Sequence, residues 1–143
     1  MSPEDNKLIV RRYLQDALEA VRQGQLDATD EFLTSDAAFY DPGRPPSIGR
    51  EAQKQRSLGL LSGFPDVRFT IEDLIAEGDQ VAARWTMQAT HTGLFQGIPP
   101  TGKQVAMQGI TIYRLTNGQI SEARSQLDQL GLLQQLGVSP GSQ

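Results

Sequence analysis

The chain of 143 residues has no cysteine and a single histidine, His91. The first absence excludes disulfides, thiolate metal sites and cysteine nucleophiles. The second means that one chain cannot assemble a multi-histidine metal site. An all-carboxylate site would need clustered acids, and no Asp/Glu spacing suggests one. Positive charge is scarce too: 13 Lys and Arg against 17 Asp and Glu leave a net charge of −4, with a pI of about 4.9. The cations form no basic stripe, so neither nucleic acid nor an anionic membrane surface is an expected partner. No run approaches the roughly 20 apolar residues of a membrane span. The N-terminus, MSPEDNKLIVRRYL, is acidic before it is basic and lacks the apolar core of a signal peptide. A soluble cytoplasmic location is therefore expected. Dinucleotide, P-loop, nucleophile-elbow, zincin and EF-hand motifs are all missing. Dinucleotide, nucleotide and hydrolase-triad readings therefore have no support.

What is present fits one domain, 1–143, with 138–143 expected as a frayed tail. A domain of this length buries roughly 68–70% of its unfolded surface, enough for a core and an internal pocket. Ser2-Pro3-Glu4-Asp5 has the pattern of a helix start. Leu8, Ile9, Tyr13, Leu14, Ala17, Leu18 and Val21 then recur at helical spacing as far as Gly24. A short helix is expected near 26–33, a short strand over 37–41 and a third helix over 48–62. Between the last two lies Pro42-Gly43-Arg44-Pro45-Pro46, which continues neither a helix nor a central strand.

From Val67 the apolar period changes from 3.6 to 2. Strands are expected from Val67, over 81–92, over 105–115 and over 120–128. Gly78-Asp79 and Asn117-Gly118 supply turns. A closing helix runs to Gly137. Helices, then hairpin-linked antiparallel strands, then a helix argue an α+β fold whose curved sheet leaves a concave interior.

Four places could carry chemistry. Asp128 ends the last strand and begins the last helix, so it is either a helix N-cap or an acid facing a cavity. His91 shares parity with the apolar Trp85, Met87 and Ala89. It could donate to an oxyanion, or it could be a buried anchor for the following loop. If the last strand is regular, Arg124 and Gln126 share the face of Ile120 and Asp128. A bulge would instead turn Arg124 out to solvent. Tyr40 and Asp41 precede the proline-rich loop, where they either cap a cavity mouth or anchor a surface turn.

Three blocks carry a resemblance: FPDVRFTIEDLIAEGDQVAARWTMQATHTG, GLFQGIPPTGKQV and GITIYRLTNGQISEARSQLDQLGLLQQLG. In order and spacing they resemble the SnoaL-like polyketide cyclase, or ester cyclase, family of the nuclear-transport-factor-2-like superfamily. The likeness is dense over 64–137 and looser before it, where FYDPGRPPSIGRE still fits. It implies a cone: a strongly curved antiparallel sheet wrapped on the N-terminal helix, enclosing a pocket, often in a homodimer. It implies cofactor-independent aldol cyclisation or isomerisation of a small carbonyl metabolite, with the acid at Asp128 as general acid/base and His91 lining the pocket. The chain departs from its relatives at Arg124, where they often carry Trp. Where characterised cyclases place a histidine on the strand before the last, the nearest residues here are Gln108 and Arg114. On this reading Arg124, Gln126, Gln108, Trp85, Tyr40 and Asp41 contact substrate. Two other readings stay open. One is an epoxide hydrolase, which needs a second inward acid, for which Asp41 is the weak candidate. The other is a non-catalytic small-molecule-binding or dimerisation module.

Overall fold

A computed structural model describes residues 1–138. The N-terminal helix starts as its sequence dictates. Ser2 Oγ accepts from the Asp5 amide and Asp5 Oδ2 accepts from the Ser2 amide, both at 3.1 Å, a reciprocal cap. Helix α1 (Pro3–Arg12) passes through one π-helical turn (Tyr13–Ala17) into α2 (Leu18–Arg22). Such turns are rare and gather at functional sites. Here the turn carries Tyr13, Leu14 and Ala17, which line the cavity described below. The short helix expected near 26–33 is instead a 3₁₀ turn, Asp30–Phe32, leading directly into β1.

The remaining elements are β1 (Leu33–Tyr40), β2 (Ser47–Ile48), α3 (Arg50–Gly63), β3 (Arg68–Glu77), β4 (Gln80–Thr90), β5 (Gln104–Thr116), β6 (Gln119–Leu127) and α4 (Gln129–Gln135). The strands form one mixed α+β sheet in the order β2-β1-β6-β5-β4-β3. All neighbours are antiparallel except β1 and β6, which run parallel. Asn117 and Gly118 both take positive φ, 50° and 82°, as a two-residue hairpin requires. Along β4 and β5 burial alternates strictly: Val81, Ala83, Trp85, Met87 and Val105, Met107, Thr111, Tyr113 face inward.

Strand β6 breaks that alternation. Leu115 pairs with Ile120, but Arg114 pairs with Glu122, so Ser121 is an extra residue on β6. A one-residue insertion exchanges the two faces of everything that follows. Ile120 is inward before the bulge and Ala123 after it, both within 1% of full burial. Inward positions beyond it are therefore odd-numbered.

Helix α4 closes the sheet. Leu132 and Leu136 are buried, and the Gln135 amide clips both backbone groups of Ala106 at 2.7 and 2.8 Å. Of the expected tail, Val138 packs on the core and donates to Leu133 O at 2.8 Å. Residues 139–143 lie outside the described residues. No helix among the described residues is long and apolar enough to cross a membrane.

Candidate active site

Between the helices and the concave face of the sheet lies a cavity of about 840 Å³. Its walls are aromatic and apolar: Tyr13, Phe39, Phe69, Trp85, Tyr113 and Leu132 contribute. Arg44, Pro45 and Pro46 from the β1–β2 loop and Gln96 from the β4–β5 loop are exposed and mark its mouth. The indole of Trp85 fits because Gly109 sits opposite it in the register; a Cβ at Gly109 would come within 2.4 Å of the ring. Trp85 Nε1 donates to Thr111 Oγ1 at 3.0 Å, and Thr111 Oγ1 lies 2.8 Å from Ser125 Oγ. This part of the lining is therefore a chain of neutral hydrogen-bonding groups.

The charge sits elsewhere in the lining. Asp41, just after β1, is the only Asp or Glu among the described residues that lines the cavity. Its side chain is 9% exposed and paired with Arg56 of α3. Arg56 Nη1 donates to Gln53 Oε1 at 3.2 Å, and its guanidinium lies 4.9 Å from the Phe39 ring centre. Gln53 is 1% exposed; its Nε2 donates to Ser47 O at 2.8 Å and Ala37 O at 3.4 Å. With both N–H groups committed to β1 and β2, its oxygen faces Arg56. Burial pushes the Tyr13 phenol up to about 12, opposed by Arg56 and reinforced by Asp41. Burial pushes Tyr113 up as well, with Tyr13 adding to it. Both stay neutral hydrogen-bond donors at ordinary pH.

The residues expected from sequence are distributed differently. Trp85 and Asp41 line the cavity. Arg124, Gln126 and Gln108 do not: they are exposed on the outer face of the sheet. Arg124 is 60% exposed, bonds Glu122 at 3.1 Å and lies 4.1 Å over the Tyr40 ring. The parity read for β6 is thus corrected by the bulge at Ser121, which leaves Ser125 and Leu127 as cavity-lining residues. Tyr40 is the outer neighbour of Phe39 and forms part of that external stack. Asp128 is exposed and caps α4, its Oδ1 accepting from the Gly131 amide at 2.9 Å. Leu127 and Gln129 on either side of it line the cavity, while Asp128 does not.

His91 is inward as expected and fully buried, but outside the cavity lining. It anchors the β4–β5 loop. Its Nδ1 accepts from the Thr101 amide at 3.2 Å, its backbone N–H donates to Lys103 O at 2.9 Å, and its carbonyl accepts from Gly102 at 2.8 Å. An Nδ1 that accepts leaves a neutral ring's proton on Nε2, which is buried with no hydrogen-bond partner among the described residues, and the ring centre lies 5.3 Å from that of Phe64. Among the described residues, no group of three or more His, Asp or Glu side chains could hold a metal ion.

The comparison with known proteins matches this architecture. The model of the SnoaL-like polyketide cyclase family covers residues 9–136. The chain belongs to the SnoaL-like polyketide cyclase family. It is 30% identical to the aklanonic acid methyl ester cyclase DauD of Streptomyces sp. (strain C5), over 96% of this chain and 83% of that protein. It is 29% identical to the aklanonic acid methyl ester cyclase DnrD of Streptomyces peucetius, over 90% and 88%. A SnoaL-like protein from Jannaschia sp. CCS1 superposes with a TM-score of 0.87 at 26% identity, covering 98% of both chains.

Within this SnoaL-like scaffold, sequence reasoning missed Arg56, Gln53, Tyr13 and the Thr111–Ser125 pair. Tyr13 gave no signal, because it fits the apolar helix stripe. Arg56 had one: it lies three residues after Gln53 on α3, so both share a helix face. Such a face is read as polar surface until β1 and β2 are known to cover it.

Proposed function

We propose that the protein cyclises a small carbonyl compound by cofactor-free acid/base chemistry inside this cavity, and that Asp41 supplies the base. The observation that carries the reading is a nearly buried carboxylate, the one Asp or Glu among the described lining residues, in a largely aromatic and apolar chamber. Family membership supports the reaction class, since the related DauD and DnrD are named as aklanonic acid methyl ester cyclases. Asp41 would take a proton from the carbon α to a carbonyl. The resulting enolate carbon attacks a second carbonyl of the same molecule, forming the new carbon–carbon bond. The alkoxide left behind recovers the proton from Asp41. Electrons and atoms balance without an oxidant or a metal. A positioned acid/base group contributes roughly 10²–10⁴-fold. Enclosure of a folded substrate adds a proximity effect.

An epoxide-opening reaction would need two carboxylates around one water, and the cavity offers one. A binding module without chemistry predicts uptake without turnover. The test is incubation with aklanonic acid methyl ester, followed by chromatography for a product of unchanged mass. We expect such a product from the wild type and its loss with Asp41→Asn. Uptake with no product would favour the binding module.

We further propose a cytoplasmic homodimer. The lack of cysteine suits a reducing compartment. The outer face of β5 exposes Ile110 and Ile112, at 47% and 46%, which supports pairing of two copies through the sheet. Ile112→Glu would then sediment as a monomer, and a wild-type monomer would contradict the proposal.

A further inference from the structure

We infer that Arg56 is the oxyanion-binding residue of the cavity, and that it exchanges Asp41 for the enolate oxygen of the substrate during the reaction. The inference rests on the cyclase reading above. A guanidinium has five N–H donors, and the protein engages two of those of Arg56, one with Gln53 and one with Asp41. The Gln53 contact is fixed, because that side chain is fully buried and its own donors are spent on Ser47 and Ala37. The Phe39 ring holds the guanidinium plane from one side. Asp41 is therefore the one charged partner, and the one that changes charge in the proposed chemistry.

Charge conservation makes the exchange favourable. Before proton transfer the cavity holds the pair Arg56⁺ and Asp41⁻. When Asp41 takes the substrate proton, it becomes neutral and the negative charge appears on the enolate oxygen. Arg56 is half-buried, with 30% of its side chain exposed, so losing its counter-ion costs it part of the penalty of a buried charge. An enolate oxygen without a cation is also costly in an aromatic chamber. Moving Arg56 from one anion to the other avoids both costs and creates no new net charge. Because the contact strengthens only as charge develops, it acts on the transition state rather than on ground-state binding. Tyr13 and Tyr113, neutral phenols in the same lining, can donate further hydrogen bonds. Arg44 is the other cation in the lining, but it is exposed at the mouth and screened by water. Gln53 is a positioning residue: it touches Arg56 and not the cavity. The ligand class that follows is a flat, aromatic or polyketonic compound with an enolisable or phenolic oxygen.

The probe is 2-hydroxyanthraquinone, whose phenolate absorbs at longer wavelength than its phenol. Absorbance titration of the bound dye reports which form the cavity prefers, with no turnover required. Wild-type protein should prefer the phenolate by about tenfold or more, a fall of roughly one unit in the bound dye's apparent pKa. Arg56→Met should abolish that preference while still binding unsubstituted anthraquinone, which verifies an intact cavity. Asp41→Asn should bind the phenolate about tenfold more tightly than wild type, because the competing anion is gone. A merely structural ion pair predicts the opposite sign, since its loss loosens Arg56. Should Arg56→Met fail to fold, the sign of the Asp41→Asn effect decides alone. The inference is overturned if the phenolate preference survives Arg56→Met, if Asp41→Asn weakens it, or if wild type shows none. The cyclase reading fails separately. A phenolate site behaving as described, in a protein whose turnover Asp41→Asn leaves intact, would keep Arg56 and discard Asp41 as the base.

Discussion

Gly109 shows how closely single atoms are fitted in this protein. It faces Trp85 across the β4–β5 ladder, and the indole occupies the space a side chain would need. Gly109→Ala should cost about 1–3 kcal/mol through overpacking, read as a lower urea midpoint. It should also break the 3.0 Å bond from Trp85 to Thr111. The phenol of Tyr13 gives a pH signature. Below pH 10 it is neutral in both the folded and the unfolded chain. Between pH 10 and about 12 the unfolded chain loses this proton while the folded chain keeps it, so stability falls as pH rises. Tyr13→Phe should flatten that fall, measured as the slope of unfolding free energy over the same pH window. An unchanged slope would mean that Tyr13 is not held neutral. At this scale the sequence revealed types rather than surroundings. Asp41 and Trp85 could be named in advance, but Asp41 looked weak because its partner Arg56 is on another element.

At the scale of elements, the β4–β5 loop shapes one side of the cavity and is held by backbone contacts. Thr92 and Gly93 donate to Gly63 O at 3.2 and 3.1 Å. A Cβ on Gly93 would stand 1.8 Å from the Ser62 carbonyl oxygen. Gly93→Ala should therefore undock the loop from α3 and move Phe95 and Gln96, which line the cavity. Weaker binding of unsubstituted anthraquinone, with the far-ultraviolet circular dichroism unchanged, is the expected result. Unaltered affinity would show that the loop does not shape the site. The hairpin at Asn117-Gly118 could be read from sequence because its cause is local. A bulge in β6 was an open alternative from sequence, but its place at Ser121 was not readable, since it exists only as a mismatch between β5 and β6. That one residue decides which side of β6 meets the cavity, and so turns Arg124 and Gln126 outward. The parallel pairing of β1 with β6 and the two-residue β2 were hidden for the same reason: both depend on partners far away in sequence.

At the scale of the whole molecule, the cavity exists because a curved sheet is covered by helices that meet only part of its concave face. The period change at Val67 and the order of helix, strand and helix patterns made the α+β class readable. The family blocks made the cone readable. What they could not place is the single negative charge inside it, which depends on how α3 crosses β1. On the proposed reading this charge, Asp41, is the base, while Asp128 fastens α4 from outside. Asp128→Asn removes the charge at a helix cap, and Asp41→Asn removes the charge in the cavity. The decisive measurement is the turnover of aklanonic acid methyl ester by these two variants side by side. The expected result is a loss of about 10²-fold or more for Asp41→Asn, and less than about tenfold for Asp128→Asn, which leaves stability nearly unchanged because Asn caps a helix about as well as Asp. The reverse order, with Asp128→Asn inactive and Asp41→Asn near wild type, would contradict the reading.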